Sequence, residues 1–158
     1  VVHRGKGPMK LSVQHVDGQR FLATTGPHAA VVDAAPEDGG GGTAMSAPQL
    51  FAAAVGACIL EFVANSCRLR GIAFQRLSLE LSYDELDRPR RVGPMEATLH
   101  IEPDIADEVK RRLIGVARHV TLVNTLARSP EVTIRFAGRE AGPTSRRRQM
   151  GGLGNADL

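Results

Sequence analysis

The chain has 158 residues, 42% of them hydrophobic and 23% charged, with five Phe, one Tyr, no Trp and two Cys. Such a chain suits one globular domain that buries roughly 68 to 70% of its unfolded surface, and two cysteines are too few for a disulfide framework. The pI of about 9.3 raises nucleic-acid binding, yet residues 138–158 hold four Arg against two acids, while residues 1–137 hold 16 Lys and Arg against 15 Asp and Glu; so nearly neutral a body, 4% aromatic overall, does not build the basic, aromatic-bearing face that nucleic acid needs.

The N-terminal third alternates in short runs. Leu11, Val13 and His15 face away from Lys10, Ser12 and Gln14, an Asp17-Gly18 turn follows, and Arg20 to Thr24 completes a hairpin. Ala29 to Ala34 is a third strand, followed by Pro36-Glu37-Asp38 and four glycines, Gly39 to Gly42, which read as a mobile loop spanning 35–45. No Lys-Ser or Lys-Thr pair follows the glycines, so they are not a phosphate-binding loop.

Ser46 with Gln49 forms a capping-box signature, Pro48 sits in the first turn, and Gly71 after Arg68 and Arg70 is a stop. Between them lies a long helix, apolar on nearly every side from Leu50 to Leu60, which predicts burial all round in its N-terminal half. That eleven-residue run is short of the roughly 20 residues a bilayer-spanning helix needs. With no basic start and long apolar stretch at the opening of the chain, a cytoplasmic protein with no membrane partner is expected.

Leu77, Leu79, Leu81 and Tyr83, then Met95, Ala97, Leu99 and Ile101, form a second hairpin with a charged tip. Pro103 opens a second helix whose acids, Asp104, Asp107 and Glu108, precede its bases, Lys110, Arg111 and Arg112, as the macrodipole prefers. Its buried stripe is Ile105, Val109, Leu113 and Val116. His119 to Ala127 is a short third helix, and Glu131 to Phe136 a last strand. Residues 138–158 read as a disordered tail behind a single domain over 1–137. The order βββ-α-ββ-αα-β is α+β, with a long central buried helix. A helix apolar on all sides needs more cover than one sheet provides, so a twofold homodimer is expected.

Cys58, two and a half turns into that helix, is the residue to weigh first for chemistry. A reactive thiol needs a nearby cation or a helix N-terminus; Cys58 lies too deep for the dipole, and Glu61, three residues on, disfavours the thiolate if close. Position alone favours a buried structural thiol. Cys67 is nine residues further, about 13.5 Å along the helix and about 180° around it, so the two cannot pair within one helix. His3, His15, His28, His100 and His119 show no metal spacing, and neither metal nor cofactor is expected. No G-x-S-x-G surrounds a serine.

The stretch Ala47-Pro-Gln-Leu-Phe-Ala-Ala-Ala-Val-Gly-Ala-Cys58, with the strand Leu77 to Tyr83, Pro103 to Val109, Val120-Thr-Leu-Val-Asn-Thr-Leu126 and Pro130 to Ile134, resembles the OsmC/Ohr superfamily of osmotically inducible and organic hydroperoxide resistance proteins over about residues 10–136. The resemblance implies an intertwined homodimer with the long helices packed centrally and the sites at the subunit interface. In enzymatic members the helix cysteine attacks a peroxide, becomes a sulfenic acid and condenses with a second cysteine, and a dithiol reduces the product. Cys58 matches the first cysteine; the second falls at Val120. The glutamate that the hydroperoxide-resistance branch pairs with a first-hairpin arginine falls at Pro48, with Arg20 as the candidate arginine. Arg20, a protonated His119, Gln49 and Glu61 are thus the possible activating or polar partners of Cys58. Three readings stand: a hydroperoxide reductase served by an external thiol reductant, a redox-inactive module for a small apolar ligand, and a thiol sensor.

Overall fold

The structure is a computed structural model that describes Gly7 and residues 9–137. Three antiparallel strands, β1 (Ser12–Asp17), β2 (Arg20–Thr25) and β3 (His28–Asp33), form a meander in the order β1-β2-β3. A short 3-10 turn at Pro36–Asp38 leads to α1 (Ala47–Arg70). The hairpin β4 (Arg76–Asp87) and β5 (Arg90–Glu102) makes a second sheet, and α2 (Asp107–Ala117) and α3 (Thr121–Ala127) follow. The architecture is the α+β arrangement read from the sequence up to α3.

α1 begins and ends where its sequence dictates. Ser46 Oγ accepts from the Gln49 N–H at 3.4 Å and Gln49 Oε1 accepts from the Ser46 N–H at 2.8 Å, a reciprocal capping box. Gly71 closes the helix at φ 66°, in the left-handed region that favours glycine. Ala52, Val55, Gly56, Ile59, Val63, Ser66 and Cys67 are buried on one side of it, and the core closes with Leu113 of α2, Val120 and half-buried Leu77, Leu79, Leu99 and Ile101 of the hairpin. A Cβ on Gly56 would stand 3.2 Å from Leu79 Cδ2, so glycine at this position lets α1 and β4 approach. By length and composition α1 passes for a membrane span, with a mean hydropathy of 1.8 over 18 residues; the packing of its buried side against β4, α2 and α3 makes it the core helix of this fold.

Several expectations are corrected. α1 is not covered all round in its N-terminal half: Phe51, Ala53, Ala54 and Ala57 are exposed, and so are Phe62 and Leu69 further along. One sheet and two short helices cover only one side of a helix. α2 starts at Asp107, not Pro103, with Asp104 placed ahead of it to bind Lys110 Nζ at 2.7 Å, and α3 starts at Thr121, after His119 and Val120. Glu131 to Phe136 is not a strand within this chain: it pairs with no strand among the described residues, and Val132, Ile134 and Phe136 are 77, 90 and 103% exposed. The sequence alternates as a strand should, but a ladder requires a neighbouring edge. The expected tail at 138–158 lies outside the described residues.

The glycine-rich loop is pinned, not mobile. Asp33, 1% exposed at the end of β3, accepts the Gly41 N–H at 3.1 Å, the Thr43 N–H at 2.9 Å and the Thr43 hydroxyl at 2.7 Å, while its own N–H donates to the Met45 carbonyl at 3.2 Å. A Cβ on Gly40 would lie 1.9 Å from the Ala34 carbonyl oxygen. These glycines serve close backbone approach around a buried carboxylate.

Candidate functional site

Cys58 lies half-buried at the margin of the core. It belongs to the open side of α1, on a stripe of Ala47, Phe51, Ala54, Cys58, Phe62 and Leu69 at helical spacing. Cys67 sits on the opposite, core side, fully buried, and burial pushes its thiol above the ordinary range. Both cysteines are free. Val120, at the position implied for a second cysteine, is fully buried in the cluster against which Cys58 packs.

Of the four residues named as partners of Cys58, Arg20 and Gln49 are engaged elsewhere in the single chain. Arg20 Nε stands 3.5 Å from Asp17 and 3.9 Å from Asp33, so the guanidinium balances the charge of the buried carboxylate. Backbone and hydroxyl donation by Thr43, N–H donation by Gly41, burial working in the other direction and the charge of Arg20 together leave the Asp33 carboxyl at about 2. Gln49 is occupied by the α1 cap, Glu61 is exposed, and His119 is exposed with its carbonyl accepting from Asn124 Nδ2 at 2.9 Å.

A cleft of about 490 Å³ opens beside the first turn of α1. Gln19, Phe21, Val32 and Ala34 line it from the first sheet and Ser46, Pro48 and Gln49 from α1; Arg20 and Asp33, the intervening strand positions, do not, as the two-residue period of a strand requires. Asp38, Glu85 and Arg90 are among the other lining residues. Arg90 Nη2 donates to Asp38 Oδ2 at 3.0 Å and lies 3.9 Å from Glu85, and the Asp38 bond, followed by the charges of Asp38 and Glu85, pushes the guanidinium pKa further up. Sequence reading missed this group, since its members lie up to 52 positions apart and no local pattern joins them. An adjoining recess of about 360 Å³ is lined by Ala47, Pro48, Phe51, Glu85, Arg90, Arg91 and Val92.

A third groove, of about 510 Å³, runs along β5. Six consecutive residues, Ala97 to Glu102, line it together with Val63, Leu77, Ile105, Lys110, Leu113 and Ile114. Consecutive strand residues point to alternate faces, so a groove that touches all six follows the edge of the strand. β5 has β4 on one side only, and its other edge carries backbone donors and acceptors free of any strand among the described residues.

The family model for OsmC-like protein matches residues 39–135. No curated protein matches. Among solved structures, an osmotic stress induced and detoxification response protein from Psychrobacter arcticus 273-4 is 18% identical, with 77% of this chain and 90% of that chain covered at a TM-score of 0.71. An OsmC like protein from Mycoplasma pneumoniae is 14% identical (79% and 91% covered, TM-score 0.68), and an organic hydroperoxide resistance protein OsmC from Legionella pneumophila is 18% identical (78% and 91% covered, TM-score 0.63). At such identities these structures establish the shared fold, and the family match runs from the glycine loop through Cys58 to the segment after α3. The chain belongs to the OsmC-like protein family.

Proposed function

We propose that this protein is an oxidative-stress thiol peroxidase that reduces organic hydroperoxides through Cys58 as a homodimer. The observation that carries the reading is the placement of Cys58: half-buried, on an open apolar stripe between Phe51 and Phe62, within the family-matched region. An apolar wall beside a thiol suits a peroxide with an organic substituent.

The chemistry closes without a second cysteine in the chain. The Cys58 thiolate attacks one peroxide oxygen, an S–O bond forms as the O–O bond breaks, and the alcohol leaves after taking a proton. The thiol is oxidised to a sulfenic acid and the peroxide reduced. One thiol of an external dithiol then displaces water to give a mixed disulfide, and the second thiol releases Cys58. With Val120 in place of a resolving cysteine, the external dithiol performs both reductive steps.

The homodimer is supported by two unfilled features of the single chain. The open side of α1 carries Phe51, Phe62 and Leu69, and the β5 edge groove faces apolar residues with no described strand in it. The segment Glu131 to Phe136, in which the exposed Val132, Ile134 and Phe136 alternate with polar residues, has the pattern of a strand that such an edge would accept from a second copy.

The test is consumption of an organic hydroperoxide with a dithiol as reductant, comparing the parent with Cys58→Ser and Cys67→Ser. Turnover in the parent and in Cys67→Ser, lost in Cys58→Ser, is expected; turnover that survives Cys58→Ser, or an inert parent, overturns the peroxidase reading.

A further inference from the structure

Between Glu108 and Glu131 the chain holds five basic residues and no acid: Lys110, Arg111, Arg112, Arg118 and Arg128. Two of the five are neutralised. Lys110 Nζ lies 2.7 Å from Asp104 and 3.5 Å from Asp107, and Arg112 donates to Glu108. Arg111, Arg118 and Arg128 are exposed and have no ion-pair partner among the described residues. The helix macrodipole accounts for Arg118 and Arg128, which cap the C-termini of α2 and α3. It does not account for Arg111, in the middle of α2, or for the lack of any acid beside the three.

Arg111 and Arg118 are seven residues apart, two turns of α2 and about 10.5 Å, so they share one face. Gly115 lies between them on that face, where an added Cβ would meet nothing within 4 Å. From α2 the β5 groove takes Lys110, Leu113 and Ile114 and none of these three, so the arginine face stays open whatever strand the groove receives. α3 has seven residues, about 10.5 Å of helix, so Arg118 before it and Arg128 after it bracket one small corner of the surface. That corner adjoins the thiol. Val120, two residues after Arg118, is fully buried in the cluster against which Cys58 packs, and Leu122 and Val123 of α3 pack against the same cluster.

We infer that the α2–α3 corner is a docking surface for an acidic protein, the dithiol carrier that returns oxidised Cys58 to the thiol. This rests on the peroxidase reading, which calls for an external dithiol, and names the chemistry of its carrier. Three unpaired guanidinium groups spread over two helices do not converge on one small anion; they match an extended acidic surface. The stretch between Glu108 and Glu131 has no aromatic side chain on which bases would stack, and three unpaired cations fall below the roughly four to eight of a membrane-binding basic cluster. In the docked complex one carrier thiolate attacks the sulfur of the Cys58 sulfenic acid, an S–S bond forms as the S–O bond breaks, and the oxygen leaves as water after taking a proton. The carrier's second thiolate then attacks the carrier sulfur of that bond, Cys58 leaves as thiolate, and the carrier is oxidised to a disulfide.

The test reads docking apart from peroxide turnover. The probe is a synthetic dithiol peptide, Cys-Gly-Pro-Cys with three Glu on each side, and its twin carries Gln in their place. Cys58 is first converted to a mixed disulfide with thionitrobenzoate, located by peptide mass, and release of the chromophore by each peptide is timed. At low ionic strength the Glu peptide is expected to act about tenfold faster than its twin, the low end of electrostatic steering. The preference should vanish in Arg111→Gln/Arg118→Gln/Arg128→Gln and in about 1 M salt, where the Debye length is about 3 Å. Arg68→Gln/Arg70→Gln/Arg76→Gln, which makes the same change in net charge elsewhere, should keep it. Because each protein is read as the ratio of the two peptides, their intrinsic reactivities cancel. Fluorescence anisotropy of labelled peptides with Ser for Cys reads docking without sulfur exchange, and the Glu form should bind the parent several-fold more tightly than the first triple variant. Equal rates of the two peptides on the parent, loss of the preference in the second triple variant instead of the first, or a Cys58 that cannot be labelled overturns the inference. So does a corner that holds phosphatidylserine vesicles or a mixed-sequence DNA oligonucleotide but not the Glu peptide. If the preference holds while hydroperoxide is not consumed, the docking surface stands and the peroxidase reading fails.

Discussion

Replacing Val132, Ile134 and Phe136 together by serine isolates what the segment after α3 does. In the single chain these side chains are 77, 90 and 103% exposed, so the substitutions remove no contact on which the folding of one chain depends. In a dimer that seats the segment on the β5 edge, each side chain leaves water, and burying a Val, Ile or Phe is worth about 1.5 to 3 kcal/mol. Three of them give about 4.5 to 9 kcal/mol per segment, and a twofold assembly has two segments. Fixing six backbone residues costs about 1 to 2 kcal/mol each, about 6 to 12 kcal/mol in all, which outweighs the apolar gain taken alone, so association needs the strand ladder as well as these side chains. Even the lower figure, about 4.5 kcal/mol per segment and so about 9 kcal/mol for the two segments that the variant alters, weakens association by roughly a millionfold at 1.4 kcal/mol per tenfold. Sedimentation velocity on parent and triple variant over a dilution series reads this directly, with circular dichroism confirming that the variant keeps its helices. A triple variant that dissociates at the same concentration as the parent refutes the assignment of this segment to the interface.

Asp33 sets an acid limit on stability. Its folded carboxyl sits at about 2 against an ordinary 3.8, so the stability it confers is fully present above about pH 4 and drains away as pH falls from there through 2; urea midpoints measured down this range should fall in the parent more steeply than in Asp33→Asn, which starts lower. Gly40→Ala places a Cβ 1.9 Å from the Ala34 carbonyl oxygen, a backbone clash with no side chain to yield, and should cost about 3 kcal/mol in denaturant unfolding; an unchanged midpoint would mean that the loop is not pinned as described. Val120→Cys restores a thiol at a fully buried position in the cluster that Cys58 packs against. One equivalent of hydroperoxide should then give a disulfide between Cys58 and the introduced thiol by peptide mass mapping, whereas a sulfenic acid that persists and is trapped by dimedone would show that the two positions do not meet.

The start and stop of α1 were legible because Ser46, Gln49 and Gly71 act locally, within one turn of the ends they define. Both hairpins were legible for the same reason, and the nine-residue spacing alone puts Cys58 on the helix side away from Cys67. What failed was long-range. Four glycines in a row carry no sign that a carboxylate eight to ten positions earlier will bind Gly41 and Thr43. Alternation in Glu131 to Phe136 specifies a strand but not whose edge receives it. Arg20 and Arg90 look alike in sequence; only the strand period, which turns Arg20 away from the cleft, and a hairpin long enough to carry Arg90 back to the start of α1 separate them.

The two sides of α1 also place unequal demands on the residues that form them. Val55, Ile59 and Val63 answer to the interior of their own chain, whereas Phe51, Ala54 and Phe62 answer to a surface that the same helix must present outward. Related sequences should therefore drift independently on the two sides. An inward position can change only in step with β4, α2 or α3, whereas in the proposed homodimer an outward one changes in step with its own counterpart, so that substitutions on the Cys58 side are expected in self-compatible pairs.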